Sequence, residues 1–375
     1  MVADQDEGTG FCELERDVID ADLCTRCGGC VASCPVNALT FGPNRIELTG
    51  ECTRCGTCYR ICPGKGVDFS KHEKRLYGRS RRTPLGSISG SYMERVNLVS
   101  ADGEILKAGY FGGRVSSVLI NALERGDIDA AALTDWSSRG ALSVGEARLA
   151  RTRKEVLALA SSKYVFSPVL ALLRQVAGEP EISKIAVVGL PCHVEAMRNM
   201  EIDPTASRAM EKVKYIIGLN CGAPNTSEGE RRRSISKAFD VPEEDIKGFR
   251  AEKISKNRVD MELVLNSGMR RRKVVPSSEY LRMFHKEKGW PRCGLCPDYC
   301  SDLSDVTFGH PLIRTRKGKH LVDSALERGY LKRGSLSRSL VQKGMDLYIG
   351  IKKRRSTRKG IKQRKKEGRP YPLFR

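Results

Sequence analysis

Two short runs of cysteines near the start of the chain share one spacing. Each run reads C-x2-C-x2-C-x3-C-P, and the second run begins 28 residues after the first. This spacing is typical of a chain that wraps a [4Fe–4S] cubane with three thiolates of one run and takes the fourth thiolate from the other run. The repeat predicts two clusters, whose ligands are Cys24, Cys27, Cys30 and Cys62 for the first and Cys52, Cys55, Cys58 and Cys34 for the second.

Residues 1–70 are interpreted as one domain built around these two clusters. Gly28, Gly29 and Gly56 lie among the cysteines, where the missing side chain lets backbone amides approach the sulfurs. Zinc and unligated core thiols are the alternatives, but a zinc site takes four ligands without exchanging a cysteine between two runs. Along its whole length this segment resembles a bacterial-type ferredoxin with two [4Fe–4S] clusters.

Four further cysteines are dispersed over the second half of the chain. Cys192 and Cys221 each follow an apolar segment that reads as a buried strand, while Cys293 and Cys296 form a C-x2-C pair. If the two strands are neighbours, their ends bring two thiols together, and the pair completes a third four-thiolate site. The alternative for each strand-end cysteine is an ordinary buried thiol. Two cysteines are interpreted as unligated, the second of them also as a substitute ligand: Cys12 and Cys300.

Short apolar runs alternate with helical periodicity over residues 101–330, which predicts an α/β domain. Residues 184–190 and 213–222 read as buried strands, and residues 249–276 read as antiparallel strands. The expected core is therefore a mixed sheet flanked by helices. Before this domain, residues 71–100 combine a basic cluster with Pro, Gly and Ser and are interpreted as a linker.

A Gly-Gly pair precedes a predicted helix of the α/β domain. Gly112 and Gly113 would allow the helix N-terminus to face a phosphate or a flavin, and Ser116 and Ser117 lie in the first turn. The alternative is that the glycines make a turn and the serines cap the helix. Residues 161–173 form a polar and aromatic segment, in which contact with a ligand competes with a plain loop that enters a helix through a proline.

Six short motifs lie in the α/β domain: GG-x-V-S at 112–116, SKY with SP at 162–168, GLPCHVEAM at 189–197, NCG at 220–222, CGLCPD at 293–298 and RTRKG at 314–318. Together they resemble the beta subunit of coenzyme F420-reducing hydrogenase and its relatives. The resemblance covers residues 85–330, and several relatives carry a fused two-cluster ferredoxin domain at the N-terminus. It implies FAD bound in the α/β domain, a third [4Fe–4S] cluster beside it and coenzyme F420 as the substrate.

The resemblance also assigns FAD binding to residues of these motifs. They are Gly112, Gly113, Ser116, Ser117, Ser162, Lys163, Tyr164, Ser167, Gly189, Pro191, Asn220, Arg314, Thr315 and Gly318. The chain departs from the family at residues 304–306, where Ser-Asp-Val replaces the usual Ala-Asp-Ile, and in a shorter stretch before Arg314, which bears on the substrate side of the flavin. No general acid or base is assigned. His193 and Asp298 lie inside the cysteine motifs and are interpreted as groups around a cluster or as solvated groups.

The chain is therefore predicted to be an iron–sulfur flavoprotein oxidoreductase. It would exchange a hydride between reduced coenzyme F420 and FAD and pass single electrons through the clusters to or from another redox subunit or a ferredoxin. The basic core suits a coenzyme with a phosphate and an oligoglutamate tail. Two alternatives stay open: a ferredoxin-linked flavin reductase of the 7-hydroxymethyl chlorophyll reductase type, and an electron-transfer adaptor without its own substrate.

Residues 331–375 form a basic tail, with twelve basic residues and one acidic residue between 352 and 375. This tail is interpreted as solvated and unstructured, or as a region that docks on an acidic partner or a membrane surface. Nucleic acid is the weaker alternative, because few aromatic residues are interleaved. No stretch approaches the roughly 18 uninterrupted apolar residues of a membrane-spanning helix, and the first ten residues are acidic, so a cytoplasmic location is expected.

Overall fold

The computed structural model describes most of the chain. The described residues are 10–42, 45–80, 89–109, 112–138, 141–163, 165–222, 227–255, 257–284, 290–309, 311–334 and 336–375. Tyr164, which the sequence predicts to contact FAD, lies outside the described residues.

The described residues form both α-helices and strands. The helices are α1 (Phe11–Leu14), α2 (Gly29–Ser33), α3 (Thr57–Arg60), α4 (Phe69–Tyr77), α5 (Gly103–Ala108), α6 (Arg114–Glu124), α7 (Arg153–Ala158), α8 (Leu172–Gly178), α9 (Pro191–Ile202), α10 (Glu228–Phe239), α11 (Ser277–Phe284), α12 (Pro291–Gly294), α13 (Arg316–Glu327) and α14 (Leu336–Lys366). The strands are β1 (Leu39–Phe41), β2 (Ile46–Leu48), β3 (Gly66–Val67), β4 (Glu94–Arg95), β5 (Leu98–Ser100), β6 (Ala130–Asp135), β7 (Glu146–Ala150), β8 (Ile185–Gly189), β9 (Val213–Leu219), β10 (Ile246–Ser255), β11 (Arg258–Leu265), β12 (Arg270–Pro276), β13 (Val306–Phe308), β14 (Leu312–Ile313), β15 (Leu331–Arg333) and β16 (Leu373–Phe374).

The N-terminal head is the described part of residues 1–70, and it consists of short elements around the two cysteine runs. In each run a glycine in the left-handed region, Gly28 (φ 83°) or Gly56 (φ 68°), starts a one-turn helix, α2 or α3. A small apolar core holds these turns together with the antiparallel hairpin β1–β2. Asn199 of α9 joins the head to the rest of the chain, because it donates to the carbonyl oxygen of Ile61 and hydrogen-bonds His72 of α4.

A seven-stranded mixed sheet forms the centre of the second domain, in the order β4-β14-β13-β9-β8-β6-β7. Strands β13, β9, β8 and β6 are parallel, whereas β7 and β14 are antiparallel to their neighbours. Successive residues of β6, β8 and β9 alternate between two cores. Helices α6 and α13 cover one face, and α8 and α9 cover the other. The predicted mixed α/β architecture is confirmed.

A smaller antiparallel sheet, β10-β11-β12, packs against α10 and α11 around its own apolar core. The antiparallel strands predicted for residues 249–276 are thus confirmed. The prediction about the connecting segment before the α/β domain needs revision. The segment 71–100, interpreted as a linker, contains most of α4 and both β4 and β5.

The C-terminal tail is not an unstructured chain, and the expectation of a solvated tail is wrong. Residues 336–366 form the long helix α14, and β16 then pairs in parallel with β3 of the head. Arg364 donates to the carbonyl oxygen of Ala21 (2.9 Å), and the carbonyl oxygen of Arg375 accepts a hydrogen bond from the Ser70 amide (3.2 Å). Among the described residues, no helix combines the length and the apolar composition that a membrane-spanning segment needs.

Candidate functional site

The four cysteines predicted to bind the first cluster line one cavity in the head, here called the first cysteine site. Cys62, from the second run, joins Cys24, Cys27 and Cys30 around about 370 Å³ of space not filled by protein atoms. Its other walls are mainly apolar and include Leu14, Ile19, Ile46 and Ile61. The structure therefore brings these cysteines together in the crossed arrangement that the sequence predicts.

The second cysteine site is the counterpart of the first. Cys34, from the first run, joins Cys52, Cys55 and Cys58 at a cavity with about 330 Å³ of space not filled by protein atoms. Among the described residues, no three His, Cys, Asp or Glu side chains converge as the ligands of a single metal ion do. Four thiols around one cavity suit a cluster, in which each thiolate binds a different iron atom.

The surroundings of these thiols favour a positively charged occupant. Burial raises the pKa of the Cys24 thiol to about 11 and that of Cys58 to about 12, and neighbouring cysteines add to both shifts. Backbone amides compensate in part, since the N–H groups of Arg26 and Gly64 donate to the sulfurs of Cys24 and Cys62, each at 3.4 Å. Thiolates this crowded form readily only when metal ions replace their protons.

The dispersed cysteines meet at the edge of the mixed sheet where the parallel strands end. Strands β8 and β9 are neighbours, so Cys192 at the start of α9 and Cys221 after β9 lie close together. With Cys293 and Cys296 they line a cavity, here called the third cysteine site, with about 540 Å³ of space not filled by protein atoms. Apolar groups make up much of its remaining wall: Phe166, Leu190, Pro191 and Trp290. The structure thus groups the four cysteines that the sequence predicts as one site.

The two remaining cysteines are elsewhere. Cys300 is fully buried in a small cluster with Tyr299 and Leu312, and its carbonyl oxygen accepts a hydrogen bond from Arg314 (2.9 Å). It does not line the third cysteine site. Cys12 is exposed, and its thiol donates to the side chain of the adjacent glutamate.

Two cations that sequence reasoning missed stand at the third cysteine site. Arg292 is almost fully buried, donates to the carbonyl oxygen of Pro63 (2.9 Å) and lies 3.5 Å from Glu195. Lys353 of α14 donates to the carbonyl oxygen of Cys221 (2.7 Å). Although desolvation alone would lower the pKa of Lys353, the neighbouring thiols raise it, so its ammonium stays charged.

The third and first cysteine sites share a wall. Thr25 lines both cavities, and the amide of Leu170 donates to the carbonyl oxygen of Cys27 (3.0 Å). On the same side, Trp290 donates its indole N–H to the carbonyl oxygen of Cys24 (2.9 Å), and the Arg26 guanidinium stacks 4.5 Å from the Trp290 ring. The head is therefore packed directly against the third site.

The polar residues of the cysteine motifs are held by the protein itself. The Nδ1 atom of His193 accepts the amide N–H of Leu190 (3.0 Å), so Nε2 carries the proton and donates to the carbonyl oxygen of Ser167 (2.8 Å). Burial lowers the pKa of His193 to about 4, which keeps the ring neutral. The carboxylate of Asp298 accepts the amide N–H of Asp302 (2.9 Å). Both side chains are buried, so the alternative that they are solvated is wrong, and their interpretation as groups around a cluster stays a prediction.

The predicted phosphate-binding turn lies at the same edge of the sheet. Gly113 precedes α6 with φ 68°, and no side chain caps the helix. A Cβ atom on Gly113 would lie 2.7 Å from Ile105, while Ser117 donates to Ser100 (2.8 Å). Arg114 ties the turn to the strand ends, because it donates to the carbonyl oxygen of Gly309 (2.9 Å).

Gly309 lies between this turn and the residues next to the third cysteine site, because it contacts both Arg114 and Asn220. A Cβ atom built on Gly309 would lie 3.0 Å from Asn220, the residue before Cys221. The predicted flavin residues Gly112, Gly113 and Ser116 and the third site thus approach each other through Arg114 and Gly309. Ser116 is buried, and Gly112 packs over Val99.

Outside the RTRKG motif, the other predicted flavin residues divide into two groups. Ser167 and Pro191 line the third cysteine site, and Gly189 packs against His193. Lys163 is turned inward, where its ammonium donates to the carbonyl oxygens of Leu159 (2.6 Å) and Ala160 (3.3 Å). Ser162 lies beside it and is partly buried.

The RTRKG motif makes contacts inside the protein. Arg314 donates to the carbonyl oxygens of Ser89 and Ser91, both at 2.7 Å. Thr315 caps α13 by accepting the amide N–H of Gly318 (3.1 Å), and a Cβ atom on Gly318 would collide with the backbone of Asp305. These contacts give the motif a structural role, and its part in FAD binding stays a prediction.

Comparisons with known proteins agree with this organisation. Residues 97–174 and 182–339 match the N-terminal and C-terminal models of the coenzyme F420 hydrogenase/dehydrogenase beta subunit, and residues 16–63 match a 4Fe-4S dicluster domain. The chain is 27% identical to the coenzyme F420 hydrogenase subunit beta of Methanococcus voltae, over 76% of this chain and 99% of that protein.

Other relatives carry different names. The chain is 27% identical to the coenzyme F420-dependent sulfite reductase of Methanocaldococcus jannaschii, over 82% of this chain but 46% of that protein. It is 30% identical to one component of the F(420)H(2) dehydrogenase of Methanosarcina mazei, over 55% of each chain.

The fold is also found in a solved structure. A chain of the F420-reducing [NiFe] hydrogenase complex from Methanosarcina barkeri superimposes with a TM-score of 0.57 at 22% identity, over 76% of this chain and 97% of that chain. The chain therefore belongs to the family of coenzyme F420 hydrogenase/dehydrogenase beta subunits, and it carries a [4Fe–4S] dicluster domain before the family's region.

Proposed function

We propose that this chain exchanges a hydride between reduced coenzyme F420 and FAD, and that it passes the electrons singly through three [4Fe–4S] clusters to or from a partner. The observation that carries the proposal is the wall that the third and first cysteine sites share at Thr25. A hydride carrier delivers two electrons together, whereas each cluster takes one. A flavin beside a row of cluster sites joins the two kinds of carrier.

The residues of the three sites fit clusters. All fourteen cysteines, each of them within the described part of the chain, are free of disulfide bonds. Each cavity offers four sulfur donors and largely apolar walls, which suit a compact inorganic group better than an organic substrate. Twelve of the fourteen cysteines would then be ligands, and Cys12 and Cys300 would not.

The start of α6 fits the pyrophosphate of FAD. This helix has no side-chain cap, and the positive end of its dipole at the N-terminus favours an anion. The edge at which parallel strands end is also where α/β sheets usually bind cofactors. When bound, FAD would accept a hydride and release its electrons singly. The protein's part is to hold FAD between the Gly113 turn and the third cysteine site.

The names of the relatives support coenzyme F420 as the substrate. They share this coenzyme, whereas the other reactant differs between the hydrogenase and the sulfite reductase. The shared region is therefore the one expected to handle the coenzyme. The formal net charge of +21 favours an anionic ligand of this kind. The partner is another redox subunit or a ferredoxin.

The test is a titration of the anaerobically prepared full chain. We expect about twelve irons and one FAD per chain, and reduced coenzyme F420 should bleach the flavin absorbance before the cluster absorbance. A reduced nicotinamide serves as the control and should bleach neither. Bleaching by reduced ferredoxin but not by reduced coenzyme F420 would indicate the ferredoxin-linked flavin reductase instead. Absence of flavin from the chain would indicate the electron-transfer adaptor.

A further inference from the structure

The C-terminal helix α14 carries one lysine into the third cysteine site. The Nζ atom of Lys353 donates to the carbonyl oxygens of Cys221 (2.7 Å) and Asp298, and it lies 3.6 Å from the sulfur of Cys296. An ammonium has three N–H donors, and these three contacts use all of them. Lys353 therefore presents a positive charge in a fixed position beside two of the four cysteines.

Contacts with the segment between Cys293 and Cys296 fix the position of α14. A Cβ atom on Gly360 would lie 2.6 Å from the buried side chain of Leu295, so the helix touches the segment between Cys293 and Cys296 directly. One turn closer to Lys353, the Ser356 hydroxyl donates to the carbonyl oxygen of Gly294 (3.3 Å). The helix thus sets the depth to which the lysine side chain enters the cavity.

The neighbouring charges indicate what the lysine is there to balance. Arg292 has a carboxylate of its own, that of Glu195 at 3.5 Å. The direct contacts of Lys353 are two carbonyl oxygens and a thiol. The Asp298 carboxyl group, which accepts the amide N–H of Asp302, also interacts with the ammonium charge, but after the thiols of Cys296 and Cys221. An ammonium placed among apolar walls is unfavourable unless negative charge lies close to it. Four thiolates around a cluster supply that charge.

We propose that Lys353 raises the reduction potential of the third [4Fe–4S] cluster. The inference rests on the proposed function only in requiring a cluster in this site. Reduction adds one electron and no proton to a centre that four thiolates already make anionic. A fixed cation stabilises the reduced form more than the oxidised form, and apolar walls such as Trp290 and Pro191 keep the screening by water low. The cluster beside the flavin would then be the easier one to reduce.

The experiment is a mediated redox titration of the full-length chain, followed by EPR spectroscopy, in which a chemical reductant supplies the electrons. In Lys353→Met, the ratio of reduced to oxidised third cluster at a fixed potential should fall at least tenfold, which is a shift of about 59 mV for a one-electron couple. The head clusters should not shift. Lys352→Met is the matched control, because Lys352 is the exposed neighbour on the same helix, and it should leave all potentials unchanged.

Two further variants separate charge from hydrogen bonding. Lys353→Arg keeps the charge and should stay near the wild-type potential, whereas Lys353→Gln keeps N–H donors without charge and should behave like Lys353→Met. A wild-type potential in either neutral variant would overturn the proposal. Loss of about four irons in both neutral variants would overturn it as well, since Lys353 would then hold the cluster and not tune it. Only eight irons in the wild-type chain would refute the third cluster itself.

Discussion

Replacing Gly28 with alanine should loosen the head from the third cysteine site. Gly28 has φ +83°, and an added Cβ atom would lie 2.7 Å from the amide nitrogen of Ala171 and 2.8 Å from the carbonyl oxygen of Pro168. Both are backbone atoms, so the collision is relieved only if the head moves as a unit. Gly28 also lines the first cysteine site, which places the collision beside the wall between the two sites.

The size of the effect follows from two separate contributions. A left-handed backbone costs an alanine about 1–2 kcal/mol, and overpacking a filled interface costs about 1–3 kcal/mol. Gly28→Ala should therefore lower the free energy of unfolding by about 2–5 kcal/mol. Gly78→Ala is the matched control: it has φ +69° with nothing within 4 Å of the added atom, and should lower stability by about 1–2 kcal/mol.

Anaerobic urea titrations of both variants measure the difference. Cluster absorbance reports release of iron. The indole N–H of Trp290 donates to the carbonyl oxygen of Cys24, so the fluorescence of Trp290 reports separation of the head. The urea midpoint should fall about 1.5 to 4 times as far for Gly28→Ala as for Gly78→Ala, with equal iron content before urea is added. Equal shifts of the two midpoints would refute the reasoning, because the steric contribution at Pro168 and Ala171 would then be missing.

Three other measurements test the sites. Cys293→Ser should lower the iron content by about four per chain, whereas Cys300→Ser, at a cysteine outside the third cavity, should leave it unchanged. Gly113→Asp should abolish FAD binding, because a carboxylate there collides with Ile105 and repels the pyrophosphate; Gly126→Asp, in open space at the other end of α6, should bind FAD normally. Burial lowers the pKa of Lys163 from 10.5 to about 8, so the native state loses the proton first. The wild-type chain should gain up to about 3 kcal/mol of stability relative to Lys163→Met as the pH rises from 8 to 10.5, and a difference that stays constant over this range contradicts the burial.

Much of this arrangement could be predicted because the decisive patterns are local in the sequence. The C-x2-C-x2-C spacing fixes three thiols of a site within seven residues, and duplication of the run predicts the crossed fourth thiol. The third site required one condition that the sequence left open, namely that the strands before Cys192 and Cys221 are neighbours. The parallel pairing of β8 and β9 meets this condition.

The tail could not be predicted, because hydropathy does not distinguish its buried positions from its exposed ones. The inner face of α14 follows helical spacing through Arg354, Thr357, Ile361 and Arg364, but three of these four side chains are polar. Residues far away in the sequence bind such side chains, as the carbonyl oxygen of Ala21 binds Arg364. The sequence of the tail alone does not identify these partners. Lys353 is likewise one of twelve basic residues in the segment, and only its register on the helix sets it apart.

The order of the sites along the molecule gives the proposed electron path a direction in space. The third cysteine site shares Thr25 with the first, and the first and second sites exchange a cysteine in each direction. The second site is the outermost: Cys55 is exposed, and the exposed side chains of Val36 and Leu48 line its cavity. Exposed apolar side chains beside a redox site are suited to contact with another protein. In the proposed path, the coenzyme would therefore react at the flavin end, and a redox partner would exchange electrons at the second site.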